Sequence, residues 1–477
     1  MHDLAPMGTF ALGCLGVLYI WRRALRTRNP YPLPPGPPGL PWVGNVIGIN
    51  QDAPWLTYAG WARTYGDLVC SRLLGQVIII INSEKIAKDL LEIRSRNFSD
   101  RPYFITTELY GVDFNSVLLP YGDRWRLHRR FFHQTFRLES VHRFLPYQHS
   151  RACLLLHQLL EMPEKLSNHI FERVLKYTAS VILNSTYNYD PTSRKDDLID
   201  TGKLLYLPSW FPGMSFKRDM VMARAYSKQY LERPFEHALQ KVSGSVAPSM
   251  VHDALRCMEE ESRSPEESWM QALKEAAGSA FLGTLFRSNS FLMTFFLMMV
   301  VNPVAQEKAQ AQIDAVVGRD RLPGMEDRPL LPFIDAIFRE TIRYSPIGPL
   351  SIPHAAGSMA HDESRYPNPH VFMPERFLND DGSLKPDDTQ HLAFGFGRRM
   401  CVGRHFADTS VWAVMAKVLA VFKILRPLDE NGVEMPVEPR FSNGIAIHPL
   451  PFRCRIVPRF EGTDAERLQE LILGSSA

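Results

Sequence analysis

The chain lacks any CxxC, CxxCH or other closely spaced pair of cysteines. Its six cysteines, Cys14, Cys70, Cys153, Cys257, Cys401 and Cys454, lie far apart. That excludes a disulfide-stapled module and a zinc-type pairing, and it reads as reduced thiols in a cytosol-facing protein. It also lacks an excess of charge. Fifty-four basic against 51 acidic residues leave +3, so no bulk basic field points to nucleic acid. Internal repeats are absent. With 45% hydrophobic and 22% charged residues over 477 positions, a disordered tail protein is excluded. Glycine is scarcer than proline, 29 against 36, and much of the proline sits near the front.

What is present begins with an apolar run. Leu4–Trp21 is uncharged and 18 residues long. As a helix it spans about 27 Å, close to the thickness of a hydrocarbon core. Arg22, Arg23, Arg26 and Arg28 follow at once, and only His2 and Asp3 stand ahead as polar groups. The positive-inside bias places the body in the cytosol. A cleaved signal peptide, the alternative, wants its positive charge before the apolar run. Pro34-Pro35-Gly36-Pro37-Pro38-Gly39-Leu40-Pro41 comes next. Proline fixes φ and removes donors, so the segment is stiff and extended. It is either an ordinary linker or a spacer that orients a domain on a bilayer. The expected division is a membrane anchor with basic stop over 1–28, a Pro-rich hinge over 29–45 and a catalytic body over 46–477.

The body reads as mainly helical with a small β-rich part. Leu68–Asn82, centred on Val77–Ile81, suggests a small sheet. Helical patterns cover Trp125–Phe136, Arg151–Leu160, Asn168–Leu183, Met222–Leu239, Ala305–Val317 and Phe333–Tyr344. Ser264-Pro265-Glu266-Glu267 has the pattern of a capping box opening a long helix to about Val301. Its apolar run Phe291–Val301 is too short to span a membrane and is expected in the core.

The chemistry gathers near the C-terminus. Phe394-Gly395-Phe396-Gly397-Arg398-Arg399-Met400-Cys401-Val402-Gly403 leads into an amphipathic helix, Arg404–Phe422. A thiol at a helix N-terminus is well placed to become a thiolate metal ligand. Gly395, Gly397 and Gly403 let backbone and a flat cofactor approach closely. Arg399 offers a fixed cation for a carboxylate. A lone cysteine beside a glycine turn is otherwise most often a buried structural residue.

The run matches FxxGxRxCxG at every fixed place and resembles the haem-binding loop of the cytochrome P450 superfamily. The resemblance implies that Cys401 is the axial thiolate of haem iron, and that the cofactor is haem b. Phe394, Gly397, Arg399 and Gly403 would border it. Trp125 and Arg129 match the family's WxxxR, whose side chains meet a haem propionate, and His354 matches another propionate-side position. Glu340, Arg343 and Arg376 match the family's buried Glu-Arg-Arg cluster. The implied fold is the mainly α haem-thiolate fold on one N-terminal transmembrane helix. Within the superfamily, Leu207–Gly213 and Phe452–Pro458 resemble microsomal enzymes of mushroom-type fungi in secondary metabolism.

Three places depart from the family. Its acid–alcohol pair lies in an AGxDT-like stretch, where this chain has Gly283-Thr284-Leu285-Phe286-Arg287-Ser288. Phe286 replaces the acid and Arg287 the threonine, and no acid lies between Ala276 and Val301. Ser288 is the nearest hydroxyl and the candidate catalytic residue. Burying Arg287 near the iron without a carboxylate would cost on the order of several kcal/mol, so it is expected to turn away and distort the helix. Strands after Pro353–Gly357, and most of a helix between Asp197–Thr201 and Leu204–Leu207, are missing on the order of twenty residues each, judged by usual strand and helix lengths. Either the enzyme is divergent or the gene reading is imperfect.

The resemblance implies a monooxygenase on the endoplasmic reticulum membrane, inserting one atom of O2 into an apolar small molecule. Its electrons would come from NADPH-cytochrome P450 reductase, and it would touch membrane lipid but no nucleic acid. Arg398, Arg404, Lys417, His128, Arg130 and His133 would steer an acidic reductase, or are merely solvated. Leu204–Phe216 would rest on the membrane or be a buried loop. The alternatives are peroxide-using or oxygen-independent haem-thiolate chemistry, and a haem-binding protein with impaired catalysis.

Overall fold

Helices carry most of the chain, as its apolar periodicity predicts. The computed structural model describes residues 32–161, 166–191, 216–241, 247–260, 266–348, 357–363, 365–386, 389–443 and 447–475, with Gly16 and Asp196. The anchor span (Gly16 apart), His354, Leu204–Ser215 and the stretch between Asp197–Thr201 and Leu204–Leu207 fall outside these residues, whereas after Pro353–Gly357 the chain forms a short helix, Gly357–Ala360.

Helix α1 (Pro54–Tyr65) precedes an antiparallel hairpin, β1 (Leu68–Leu73) and β2 (Gln76–Ile81), paired from Leu68 opposite Ile81 to Leu73 opposite Gln76. Leu74 and Gly75 take φ of 48° and 87°, the two-residue turn whose twist suits a hairpin. The Pro-rich segment is extended, as its composition requires, and it is stitched to this hairpin. Cys70 N donates to Pro35 O at 2.9 Å. A Cβ on Gly36 would fall 1.8 Å from Cys70 O, so only glycine permits that approach. Asn45 Nδ2 donates to Pro37 O and Pro38 O, both at 3.2 Å, while its Oδ1 accepts from Arg72 N at 2.9 Å. Its C-terminal part is thus packed against the body.

The helical body comprises α2 (Asp123–Phe136), α3 (Leu145–Leu160), α4 (Leu166–Tyr187), α5 (Phe216–Gln240), α6 (Met250–Glu260), α7 (Glu267–Val301), α8 (Pro303–Val316), α9 (Pro332–Tyr344) and α10 (Arg404–Val421). Strands β3 (Phe422–Leu425) and β4 (Arg455–Pro458) pair antiparallel, and α11 (Ala465–Gly474) follows. Helix α3 begins earlier than the expected Arg151, because Pro146 is tolerated in a first turn where no N–H partner is needed.

Helix α7 runs through the centre, packing on α2, α4, α5, α9 and α10. Its last three turns, Phe291–Val301, are apolar apart from Thr294, and such a stretch must be enclosed. Among the described residues it alone is long and apolar enough to cross a membrane, yet 78% of its apolar window is buried inside the protein. It is a core helix, as its sequence suggested. Ser264 and Pro265 of the expected capping box lie outside the described residues. Glu266 is extended at φ −68° and ψ 152°, the helix begins at Glu267, and no side chain caps it. Glu266 O accepts from Trp269 N and Met270 N, both at 3.0 Å. Trp269 packs edge-on against Phe131 at 5.2 Å, holding the first turn of α7 against α2.

Candidate active site

The cysteine loop is shaped by its glycines. A short helix, Gln390–Phe394, ends at Gly395 with φ +76°. Gly397 follows with φ +57°, and a Cβ there would fall 1.8 Å from Leu91 O. No other residue type fits both conditions. Cys401 N donates to Phe394 O at 2.8 Å, closing the loop, and Gly403 O accepts the first bond of α10 from Ala407 N at 2.8 Å.

Cys401 lines a cavity of about 500 Å³ between this loop, α2 and α7. It is the one cysteine among the described residues to do so. Burial pushes the Cys153 thiol up to about 11 and the Cys454 thiol up to about 12, as suits inert core cysteines. Phe394, Gly395 and Gly403 also line the cavity, whereas Gly397 packs on the Leu91 backbone.

Four guanidinium groups line the same cavity, Arg287 from α7 and Arg101, Arg129 and Arg399 near the cysteine loop. Arg399 Nε donates to Ser99 O at 2.7 Å and Nη2 to Leu119 O at 2.9 Å. Its Nη1 is buried with no hydrogen-bond partner among the described residues. Burial pushes Arg399 down to about 10; Asp100 opposes this and Arg129 adds to it. Arg101 is likewise pushed down to about 10 by burial, with Arg399 adding to it. Arg129 is lowered by burial first, while the Cys401 thiol acts the other way. Arg129 Nη1 donates to Met400 O at 2.7 Å, tying α2 to the residue before the cysteine. Trp125 is buried under both cations, its ring 4.3 Å from the Arg399 guanidinium and 5.6 Å from that of Arg129. A buried, orphaned guanidinium N–H is costly. Carboxylates of a flat ligand, brought between these arginines and the Cys401 thiol, answer it. The residues therefore fit haem, with its two propionates and its iron.

The opposite charge distribution appears deeper in the fold. Arg343 and Glu340 on α9 pair with no exposure, and Arg376 Nε lies 3.2 Å from Glu340 Oε2. The three residues form the expected buried cluster.

Ser288, Phe286 and Arg287 all line the cavity from α7. Arg287 does not turn away or distort its helix, which is continuous from Glu267 to Val301. Open cavity accommodates the guanidinium, and it has no ion-pair partner among the described residues. The basic face needs correction. His128 has no exposed surface, and Lys417 is 2% exposed with Nζ donating to Pro323 O at 2.7 Å. Both lie on inward faces of their helices, so neither can steer a partner. Arg130, His133 and Arg398 are exposed.

Three residues escaped the sequence reading. Arg101 follows Asp100 in a loop with no periodic signal. Ser116 lines the cavity from another irregular stretch. Glu275 stands one position before the acid-free part of α7.

The cytochrome P450 family profile matches residues 34–357 and 355–455. The chain is 34% identical to cytochrome P450 monooxygenase claR of Ampulloclitocybe clavipes, covering 97% of this chain and 92% of that protein. It is 33% identical to cytochrome P450 monooxygenase 136 of Postia placenta, covering 94% and 92%. With ple1, a cytochrome P450 monooxygenase of Rhodocybe pseudopiperita, identity is 34% over 96% of each chain. A thiol-bearing glycine loop under a mainly helical fold, joined to these likenesses, defines a haem enzyme. The chain belongs to the cytochrome P450 family and is an enzyme of its monooxygenase class.

Proposed function

We propose that the cavity holds haem b with Cys401 as its axial ligand, and that the enzyme oxidises an apolar small molecule. The observation that carries this reading is the orphaned Arg399 Nη1 beside Arg101 and Arg129, in the one described cavity that Cys401 also lines. Bound haem supplies an iron at which O2 is reduced and one oxygen atom enters a C–H bond. Arg399, Arg129 and Trp125 hold the propionate side. Phe394 and Gly403 border the ring near the thiolate, and Phe291, Phe338 and Ile342 contribute apolar wall. His354 is proposed as a further propionate contact, and Ser288 as a hydroxyl that organises water.

The electron donor in this reading is an NADPH-cytochrome P450 reductase, approached through exposed Arg130, His133 and Arg398. Residues 1–28 anchor the chain on the endoplasmic reticulum membrane with its body in the cytosol, and residues 29–45 connect it to the catalytic part over 46–477. Fungal secondary metabolism, or oxidation of foreign apolar compounds, is the setting that the resemblance favours. The test is turnover with reductase under ¹⁸O2 on a panel of lipid-soluble aromatic and terpenoid compounds. Product carrying one ¹⁸O, formed only as NADPH is consumed, is expected. Oxygen drawn only from peroxide would overturn the monooxygenase reading.

A further inference from the structure

The monooxygenase balance consumes a proton: substrate, O2, NADPH and H⁺ give alcohol, water and NADP⁺. Phe286 has no proton to give, and Arg287 holds its protons too firmly to act as an acid. A second line of polar groups reaches the same cavity. Ser116 lines it, and Ser116 N donates to Ser279 Oγ on α7 at 3.0 Å, so the serine enters on the α7 side. Ser116 Oγ lies 2.7 Å from His128 Nδ1. His128 Nε2 lies 3.4 Å from Glu275 Oε2, an ion-pair separation without an aligned hydrogen bond. Glu275 in turn accepts from Arg124, Nε to Oε2 at 2.8 Å and Nη2 to Oε1 at 2.7 Å. The Arg124 side chain is 47% exposed, so the line of polar groups reaches the surface beside that guanidinium.

We infer that Ser116, His128 and Glu275 form a proton path from solvent at Arg124 into the cavity, an inference that rests on the monooxygenase reading. A proton arriving beside Glu275 binds His128 Nε2. The proton on Nδ1 leaves to Ser116 Oγ, and the original hydroxyl proton of Ser116 passes into the cavity. Return of the imidazole to its Nδ1–H tautomer resets the path. One proton is carried, no electron moves, and only N–H and O–H bonds are made or broken. Burial works against the Glu275 charge, but His128, Arg124 and Gln271 overcome it and hold its pKa at about 2. The carboxylate therefore stays charged and faces the nitrogen that must receive the proton.

A plain buried pair joining α2 to α7 would share this geometry, so the test must separate conduction from support. Haem-loaded full-length protein is compared with Ser116→Ala and Glu275→Gln. Product formed per NADPH should fall about tenfold or more in both, within the range of a positioned proton donor. The CO-bound spectrum and peroxide-supported turnover should hold within about twofold, far less than that loss. Ring ¹⁵N-labelled histidine, assigned with His128→Gln, reports exchange of the His128 N–H with water without turnover. Conduction predicts slower exchange in Glu275→Gln, whereas loosening a structural pair predicts faster exchange. Unchanged or faster exchange overturns the path, as does coupling equal to the parent or a parallel fall of the peroxide route. Slowed exchange in a protein that never couples NADPH to product would support the path and overturn the monooxygenase reading instead.

Discussion

Arg343 meets Glu340 side-on, Nε to Oε2 and Nη2 to Oε1 both at 2.7 Å, with neither side chain exposed. The remaining guanidinium donors are spent on backbone: Arg343 Nη1 reaches Pro369 O at 2.7 Å and Ala360 O at 3.1 Å. Glu340 Oε1 also accepts from Met373 N at 2.8 Å. The pair therefore clamps α9 to the segment 360–376. Removing one partner leaves a buried charge without an answer, and Arg343→Ala or Glu340→Ala should cost about 3–5 kcal/mol. Thermal unfolding would read this as a large fall in midpoint with loss of bound haem. A change near 1 kcal/mol, about what an exposed pair contributes, would mean that the cluster is incidental.

Glu275 gives a pH dependence of known sign. Its folded pKa, about 2, lies below the ordinary glutamate value of 4.5. Its contribution is thus fully present above about pH 5 and is lost as pH falls toward 2, since the unfolded state binds the proton first. The shift corresponds to about 3 kcal/mol. Denaturant midpoints for Glu275→Gln should sit below the parent at pH 6, with the gap narrowed to about half by pH 3 and closing only as pH approaches 2. A constant difference across that range would contradict the assignment.

Much of this arrangement was legible in the sequence, because each legible part rested on local rules. Cys401 was marked by glycines that the backbone needs at Gly395 and Gly397. Helix α7 was marked by an apolar run too uniform for a surface. The resemblance predicted the buried cluster of Glu340, Arg343 and Arg376. What escaped depends on contacts distant in sequence. Ser116 and His128 are only 12 residues apart, but Glu275 joins them from across 147 positions (275 minus 128). His128 and Lys417 looked like surface charges because composition does not say which face of a helix points inward.

At Phe286 and Arg287 the expected effect is a gain. Phe286→Asp with Arg287→Thr should raise product per NADPH, since a positioned proton donor contributes about 10²–10⁴-fold, or roughly 3–5 kcal/mol of barrier. The unmodified protein should do relatively better with added peroxide than with reductase. Near-complete coupling in the unmodified protein would mean that Ser288 with water, or the Ser116 path, already suffices.

Deleting residues 1–28 should move much of the protein into the soluble fraction at high salt. Burying the Leu4–Trp21 run holds a chain far more firmly than a single acyl group does. Complete pelleting of the truncated protein would assign the anchoring to another surface.

The central claim is that the Cys401 thiolate binds haem iron. Its most direct test is the absorption spectrum of the reduced, CO-bound protein, compared among the parent, Cys401→Ala and Cys454→Ala. The account predicts the red-shifted Soret band of thiolate ligation in the parent and in Cys454→Ala, and its loss in Cys401→Ala. A thiolate-type band that persists in Cys401→Ala would contradict it.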